Sequence, residues 1–447
     1  MLSPSGPMHT RLGAPRPGAS PSARSDRRSR IEGSRHDGGR IVTRYRAWVR
    51  LFMWLASAAL LLGPSSASRL QATDLPDLFR TKFLRGLAPL APLAPALADA
   101  IALTYPTASA SSSVVYVFNA DLGTYERENP VLGPIIGERA DTIGRGEFDM
   151  AASYSYVHLT SIDGEDLGRL ENRATINGRV IALPVTPPVH LRDGRLTNFL
   201  PVRVVADIDA QAHIVTPQIT YGLTPHLDVN LAVPLVRSTL RIGALIQVPD
   251  PRLLPEFALP RDSPLKQTVP RSVFGGAEGV GDVLLRTKYV LPRDWPFDMA
   301  AGVGLSLPTG DVRELRGTGH TRVQPTFIVS RMVGRWLQPL LNAGIDINTD
   351  TVARSSVRWA AGALATIRGP LGGTLVFLGR HELSEQTEKL RLPFFFQVKR
   401  NDVVDAAVGA RYQFGDHGIV AANALVPLNE SGLRAQVIPT FELEYVF

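Results

Sequence analysis

The sequence offers few residues whose types and spacing could perform chemistry, and the first candidate is a glycine-rich stretch. Residues 275–282 read GGAEGVGD, which superficially matches a loop that cradles phosphate groups. The stretch lacks the lysine of a nucleotide-binding loop, and a strand pattern rather than a helix pattern follows it. We therefore interpret it as the tip of a loop that precedes a strand.

The sequence likewise gives little support for a metal site or a catalytic nucleophile. Asp346, Asn348 and Asp350 have the spacing that opens a calcium loop, but Thr351 occupies the position that requires glycine. The nine histidines show no metal-ligand spacing, and a chain without cysteine has neither disulfides nor thiolate catalysis. We predict an ordinary turn at residues 346–350, and we predict no catalytic residue, no metal and no cofactor.

A larger set of polar side chains alternates with apolar ones. In residues 337–348, for example, apolar side chains at odd positions alternate with Gln338, Asn342 and Asp346 at even ones. This period of two is typical of a strand with one apolar and one polar face. The polar faces could set the charge selectivity of a lumen, or they could neutralise one another inside a narrow barrel. The candidate lumen-facing residues are Asp207, Asp209, Gln211, His213, Asp228, Asn230, Asp282, Arg286, Lys288, Arg322, Gln324, Asn342, Asp346, Arg358, Arg411, Glu442 and Glu444.

Twelve segments with this alternation fill residues 146–447. They are Glu147–His158, Arg203–Tyr221, His226–Leu245, Gly281–Leu291, Phe297–Leu307, Thr321–Val333, Leu337–Ile347, Arg354–Ile367, Leu371–Leu383, Asp402–Phe414, Gly418–Leu428 and Arg434–Phe447. Short and long connections between them alternate strictly, and aromatic residues gather beside the short ones. A barrel with short periplasmic turns and long outer loops has this order. The predicted fold is all-β, a transmembrane antiparallel up-and-down β-barrel of about twelve strands.

The N-terminal part of the chain does not follow the strand pattern. Arginines precede the apolar stretch Leu51–Gly63, and small residues follow it, so residues 1–68 are predicted to be a leader with a signal peptide. Residues 1–40 suggest a start codon that was assigned too early. Residues 69–145 contain a predicted amphipathic helix, Asp74–Leu87, and a second apolar stretch, Leu97–Leu103. This region could be a periplasmic lead-in or a plug inside the barrel.

The net charge of +7 does not indicate a nucleic-acid partner. Residues 1–50 alone contain eleven arginines against three acidic residues, so the excess positive charge lies in the predicted leader. The basic residues are therefore not a feature of the part of the chain that would fold.

The chain ends on an alternating strand with an aromatic residue in the last position. Phe441, Leu443, Tyr445 and Phe447 share one face of this strand. This ending resembles that of bacterial outer-membrane β-barrels. The resemblance implies that Phe447 and Tyr445 form an assembly signal, and that the barrel-assembly machinery is a partner.

Five further stretches carry a resemblance to one family. They are GPIIGERADTIGRGEFD (133–149), SIDGEDLGRL (161–170), ITYGLTPHLDVNLAVPLV (219–236), GVGDVLLRTKYVL (279–291) and AGVGLSLPTGD (301–311). With them the chain resembles the outer-membrane family called "MetA-pathway of phenol degradation", whose members often bear the name transporter. The resemblance implies a barrel in the bacterial outer membrane that imports small hydrophobic or aromatic compounds. Its implied partners are outer-membrane lipid, lipopolysaccharide and these small solutes.

Two other functions stay open. A structural or adhesive barrel that conducts nothing would have the same strand pattern. An outer-membrane lipid hydrolase is less supported, because such enzymes place His and Ser two residues apart on one strand face. The nearest match is His158 and Thr160, and no His-x-Ser occurs. Binding of solutes without covalent chemistry is the function that we predict.

Overall fold

A computed structural model provides the structure of the chain. The residues that it describes are 93–104, 116–119, 124–127, 131–132, 136–171, 175–176, 179–180, 182–190, 195–201, 203–247, 269–292, 295–384, 402–415 and 417–447. The chain divides into two compact units, Met1–Ser57 and Ala58–Phe447, and every described residue belongs to the second unit. The predicted leader, signal peptide and amphipathic helix Asp74–Leu87 lie outside the described residues.

Twelve antiparallel strands form one closed barrel, as the alternation predicted. In chain order they are β1 (Phe148–Ile162), β2 (Arg203–Thr224), β3 (Leu227–Ala232 and Leu235–Gln247), β4 (Val269–Val280 and Val283–Val290), β5 (Asp298–Leu307), β6 (Arg322–Ser330), β7 (Leu337–Asn348), β8 (Ser356–Arg368), β9 (Leu371–Glu382), β10 (Val403–Phe414), β11 (Gly418–Pro427) and β12 (Leu433–Ala435 and Ile438–Val446). Each strand pairs with its neighbours in the chain, so the connections lie at alternate ends of the barrel. All five short turns lie at one end.

The last strand closes the barrel against the first. Thr440 to Val446 of β12 pair with Ser155 to Asp149 of β1. The backbone N–H of Phe447 donates to the carbonyl oxygen of Phe148 at 2.8 Å, and the rings of these two residues lie 5.8 Å apart. The barrel therefore has no free edge at this seam, which removes the open pairing groups of an edge strand.

Deleting Phe447 should impair assembly of the barrel, because the deletion removes both the hydrogen bond and the ring contact at the seam. We expect a smaller fraction of heat-modifiable protein, which migrates differently in unheated and boiled samples on denaturing gels. Phe414→Ala provides the control, since Phe414 is an exposed aromatic residue at the same end of the barrel. Equal folded fractions for the deletion, the control and the wild type would contradict an assembly role.

Three strands are interrupted, and at β3 and β4 the structure corrects the prediction. β3 breaks at Val233–Pro234, because proline has no N–H for the strand ladder, and β4 breaks beside it at Gly281–Asp282. The Gly281 N–H donates to the Pro234 carbonyl oxygen at 2.7 Å and holds the two breaks together. β4 begins at Val269, so the predicted loop 246–280 is shorter than expected. The interpretation of residues 275–282 as a loop tip is wrong, because residues up to Val280 are a paired strand.

The remaining elements are short. They are helix α1 (Leu93–Thr104), 3₁₀ turns at Leu167–Arg169, Val312–Glu314 and Val352–Arg354, small strands Glu165–Asp166 and Leu170–Glu171 at the barrel edge, and three separate pairs, Tyr116–Asn119 with Thr124–Arg127, Thr175–Ile176 with Arg179–Val180, and Ala182–His190 with Leu196–Pro201. The helices in the described part of the chain are too short or too polar to cross a membrane. Helix α1 contains the predicted apolar stretch Leu97–Leu103. Its buried Leu97 and Ile101 pack in the hydrophobic core with apolar side chains of the barrel strands.

The outer face of the barrel exposes large apolar side chains. On β12, Thr440, Glu442 and Glu444 are buried, whereas Phe441 is 53% exposed. The aromatic residues beside the short turns lie on this outer face. They are Tyr221, Tyr289, Trp295, Phe297, Trp336, Tyr412 and Phe414. Trp359 does not belong to this group, because it is the fourth residue of β8 and lies near the opposite end.

Candidate functional site

The inner face of the barrel near the short turns is polar. The Arg286 guanidinium on β4 donates from Nε and Nη2 to the Asn230 side-chain oxygen on β3, at 3.0 and 2.7 Å. Nη2 also donates to the Gln218 side-chain oxygen on β2 at 3.0 Å. On the other side of the barrel, Arg411 Nη2 lies 2.6 Å from Glu442 Oε1. These contacts occupy donors and acceptors that would be costly to bury alone.

A short stretch before β1 lies against this polar face. We call described residues 131–132 and 136–146 the inner segment. The N–H of Ile143 donates to Asp228 on β3 at 3.1 Å, and the N–H of Ala140 donates to Ser330 on β6 at 3.1 Å. Asn342 on β7 makes two bonds of 2.8 Å with the backbone of Glu138, donating one and accepting the other. The inner segment thus uses strand side chains in place of a regular ladder.

The inner segment also touches the remaining sides of the barrel. The N–H of Gly146 donates to the Gly222 carbonyl oxygen on β2 at 2.8 Å, and the Lys288 ammonium on β4 donates to the Arg139 carbonyl oxygen at 3.4 Å. The buried Leu132 side chain packs against Ile419 on β11. A segment that contacts β2, β3, β4, β6, β7 and β11 of one closed barrel can do so only from its interior.

A second polar layer lies on the inner face near the long connections. Arg322 on β6 donates to Asp346 on β7 at 2.8 Å, and Arg358 on β8 lies 3.5 Å from the same carboxylate. The Asp346 side chain is completely buried, so its charge depends on these partners. Arg434 on β12 donates to the Asp405 carboxylate on β10.

A cavity of about 230 Å³ lies between the two polar layers. Part of its wall is charged, with Glu138, Arg286, Lys288, Arg358, Arg380 and Asp405. Apolar side chains line another part, namely Leu103, Ile136, Leu284, Ile328, Leu378 and Leu425. Leu103 belongs to helix α1, and both Ile136 and Glu138 belong to the inner segment. The cavity can hold a small molecule that is partly apolar and partly polar.

Four predicted lumen residues do not face the interior. They are Asp207, Asp209, Gln211 and His213 of β2. They occupy the same face of β2 as the exposed Ile219 and Tyr221, whereas the alternate positions 206–214 are buried in the core. Their partners lie on the outer faces of β1 and β3, since the Tyr154 hydroxyl is 2.9 Å from His213 Nδ1 and Arg241 Nη2 is 3.6 Å from Asp207 Oδ2. The lumen prediction is therefore wrong for these four residues.

The length of β2 explains this correction. β2 contains 22 residues, whereas about 9–11 residues cross a bilayer. At residues 206–214 of β2, the apolar helix α1 fills the interior of the barrel. The inner positions of this part are therefore apolar and the outer positions are polar. The alternation continues without a break while the polarity of the two faces reverses. Polarity therefore indicates the wrong face in this part of β2.

The other candidates lie on the inner face, in two groups. The group near the short turns consists of Asp228, Asn230, Arg286, Lys288, Asn342, Arg411, Glu442 and Glu444, and the group near the long connections consists of Arg322, Gln324, Asp346 and Arg358. Asp282 is separate, at the break in β4. Its carboxylate accepts from the N–H groups of Gly310 and Thr318 at 3.0 and 2.7 Å, and so holds the connection between β5 and β6.

The predicted turn at residues 346–350 is only partly correct, because residues up to Asn348 belong to β7 and the chain bends only at residues 349–350. The Asn348 side-chain oxygen accepts from the N–H groups of Asp350 and Thr351, both at 3.0 Å. Asp346 is held by arginine and does not point toward Asp350. Within the described ranges, no group of three or more His, Asp or Glu side chains could hold a metal ion.

Several polar residues of the interior were not predicted. Asp405 on β10 and Arg434 on β12 each lie between two apolar neighbours, so the strand pattern could have identified them. Arg380 on β9 lies between Gly379 and His381, and the alternation does not identify it. Glu138 has no such signal, because the inner segment has no regular period and is placed only by its tertiary contacts.

Comparison with known proteins identifies the family. Residues 200–429, about half of the chain, match the family described as "Putative MetA-pathway of phenol degradation". The chain belongs to this family. The match covers β2 to β11 completely, and thus the strands that line the cavity. The comparison with curated proteins gives no match.

Several solved structures are similar to the chain at a low level. The toluene transporter TbuX of Ralstonia pickettii is 13% identical, with 72% of this chain and 92% of that chain covered and a TM-score of 0.31. A FadL homologue of Pseudomonas aeruginosa is 9% identical, with 68% and 90% covered and a TM-score of 0.32. A TodX deltaS2S3 mutant, a monoaromatic hydrocarbon channel, is 13% identical, with 75% and 95% covered and a TM-score of 0.31. Similarity at this level leaves the function of this MetA-pathway family member open.

Proposed function

We propose that this MetA-pathway family member is a channel of the bacterial outer membrane for small apolar or aromatic compounds. The exposed apolar side chains of the outer face support this location, because soluble monomers rarely expose such extended apolar surface. In this location the short turns face the periplasm and the long connections face outward. The exposed aromatic residues beside the short turns then lie at the membrane interface.

The cavity of about 230 Å³ is the observation that carries the proposed substrate class. An apolar protein cavity of about 150 Å³ is large enough to bind benzene. The larger cavity of this barrel thus has room for one ring with a small substituent. Its charged wall distinguishes it from a purely apolar pocket, and its position between the two polar layers places it on any path through the barrel.

We further propose that the inner segment plugs the barrel at the periplasmic end and moves during passage. Its contacts with six strands support this role, because they span the barrel cross-section. These contacts are hydrogen bonds, the ion pairs of Glu138 with Arg286 and Lys288, and small packing contacts, so the segment can leave while the wall of twelve paired strands stays closed. Passage then needs no covalent chemistry, and we propose that the chain is not an enzyme.

Planar-bilayer conductance tests both proposals. We would compare the refolded full chain with a variant in which a Gly-Ser linker of equal length replaces residues 131–145. Steady conductance of the variant, with rare openings of the full chain, is the result expected of a plugged channel. Equal steady conductance would contradict the plug. If neither protein conducted while both kept heat-modifiable migration on gels, the result would overturn the channel and support a structural barrel.

A further inference from the structure

Two arginine side chains face each other across the upper part of the cavity wall. Arg358 on β8 and Arg380 on β9 are directly opposite in the strand register, and both line the cavity. Side chains opposite each other on neighbouring strands have Cβ atoms about 4.5–5.5 Å apart, and like charges at such positions are destabilising. A pair of this kind needs compensation from nearby anions.

The protein compensates this pair only in part. Asp346, the carboxylate beside Arg358, also accepts from Arg322 and from Gln324 at 3.2 Å. Among the residues that the structure describes, no carboxylate lies within hydrogen-bond or ion-pair distance of the Arg380 guanidinium, and Glu382, Asp346 and Asp405 attract it only from farther away. Glu382 lies on the same face of β9 but does not line the cavity. The buried Asp346 carboxylate therefore pairs with both Arg322 and Arg358. The five N–H donors of Arg380 stay available for another partner.

The cavity as a whole has an excess of positive charge. Four cationic side chains line it, and its two carboxylates already have partners. Glu138 lies 3.7 Å from both Arg286 and Lys288, and Asp405 binds Arg434. In such an interior a guanidinium group binds a carboxylate strongly, because two parallel hydrogen bonds can form.

The rest of the wall suits a flat apolar body. Glycines at positions 302, 304 and 344 leave part of the wall without side chains. A Cβ atom at position 344 would lie 2.6 Å from the Pro325 carbonyl oxygen, so larger residues do not fit the backbone there. Together with the apolar side chains of the cavity, this surface can contact the face of a single ring.

We propose that the cavity binds a small aromatic or alicyclic molecule that carries a carboxylate, with Arg380 and Arg358 as the groups that bind the anion. This inference rests on the proposed channel function and specifies its substrate class. The carboxylate replaces the anion that Arg380 lacks, and the ring lies against the apolar wall. Neutral hydrocarbons of the same size would fill the apolar part but leave Arg380 without a partner.

Calorimetric titration of the full chain in detergent tests this inference with benzoate and its neutral analogue benzamide. We expect the wild type to bind benzoate at least tenfold more tightly than benzamide. Arg380→Gln should weaken benzoate binding about tenfold or more, since hydrogen bonds to charged groups are the strong ones, and should change benzamide binding less than twofold. Arg380→Lys keeps the charge and should retain part of the preference. Arg313→Gln, at an exposed arginine of the β5–β6 connection, is the matched control.

Reversal potentials in a salt gradient give an independent measurement. The wild-type channel should favour anions, and Arg380→Gln should reduce that preference while Arg313→Gln leaves it unchanged. Equal binding of benzoate and benzamide, or benzoate binding that Arg380→Gln does not affect, would overturn the anion site. In that case conductance by the wild type or by the 131–145 linker variant would still support the channel, whereas the absence of conductance from both folded proteins would remove the channel itself.

Discussion

Replacing Gly222 with alanine should displace the inner segment and raise the conductance of the barrel. A Cβ atom at position 222 would lie 1.7 Å from the carbonyl oxygen of Gly144, and hydrogen bonds fix both backbones near this point. Overpacking costs about 1–3 kcal/mol. If this cost destabilises only the state in which the inner segment lies inside the barrel, the fraction of molecules with a displaced segment rises by about 5- to 150-fold. Frequent long openings in planar bilayers are the expected result.

Gly372→Ala is the control for this substitution. Gly372 also lies on the inner face, on β9 beside Leu132 of the inner segment. A Cβ atom at position 372 would meet only ordinary contacts, the nearest at 3.4 Å. Gel mobility of unheated samples separates displacement from misfolding. If folded Gly222→Ala showed the same conductance as Gly372→Ala, the inner segment would not be what closes the barrel.

A disulfide between positions 132 and 372 should lock the channel shut. The Leu132 Cβ atom lies 3.6 Å from the position of a Cβ atom on Gly372, which is within the range for disulfides. Since the chain contains no cysteine, a Leu132→Cys, Gly372→Cys variant can form only this bond. We expect conductance and benzoate uptake of the oxidised protein to fall at least tenfold, because the inner segment can no longer leave. A reductant should restore both.

The control disulfide lies within the barrel wall. Ser155 on β1 and Thr440 on β12 are opposite in register, and their hydroxyl oxygens are 2.9 Å apart on the inner face. Ser155→Cys with Thr440→Cys should cross-link the seam without touching the inner segment, so oxidation should leave conductance unchanged. If the 132–372 disulfide formed fully and also left conductance unchanged, passage would not need movement of the segment.

The two predictions address the step that most distinguishes this barrel from an open pore. The inner segment, helix α1 and the β5–β6 connection all contribute to the interior, so a solute meets protein throughout the barrel. The cavity is the space that these elements leave. Selectivity can then come from the charges that line the cavity, and the rate of passage from the movement of the inner segment.

The barrel wall was predictable from the sequence because its signals are local. The alternation in residues 337–348 and in 438–446 needs only neighbouring residues to define a strand, and the lengths of the connections define the ends of the barrel. β4 was the exception, since its glycines disguised a strand that begins at Val269, and the break in β3 at Val233–Pro234 was not predicted. The inner positions of Arg286, Asp346 and Glu442 followed from the same alternation.

The tertiary structure decided what period two cannot specify. Alternation separates two faces but does not say which one meets water, and on β2 helix α1 reverses the answer for Asp207 and Asp209. Glu138 has no periodic pattern, so tertiary contacts define its place, among them hydrogen bonds to a side chain 204 residues away. That no described carboxylate lies within ion-pair distance of the Arg380 guanidinium likewise depends on how the strands assemble. The sequence by itself determined the wall of this protein, whereas the contents of the barrel depended on contacts between residues far apart in the chain.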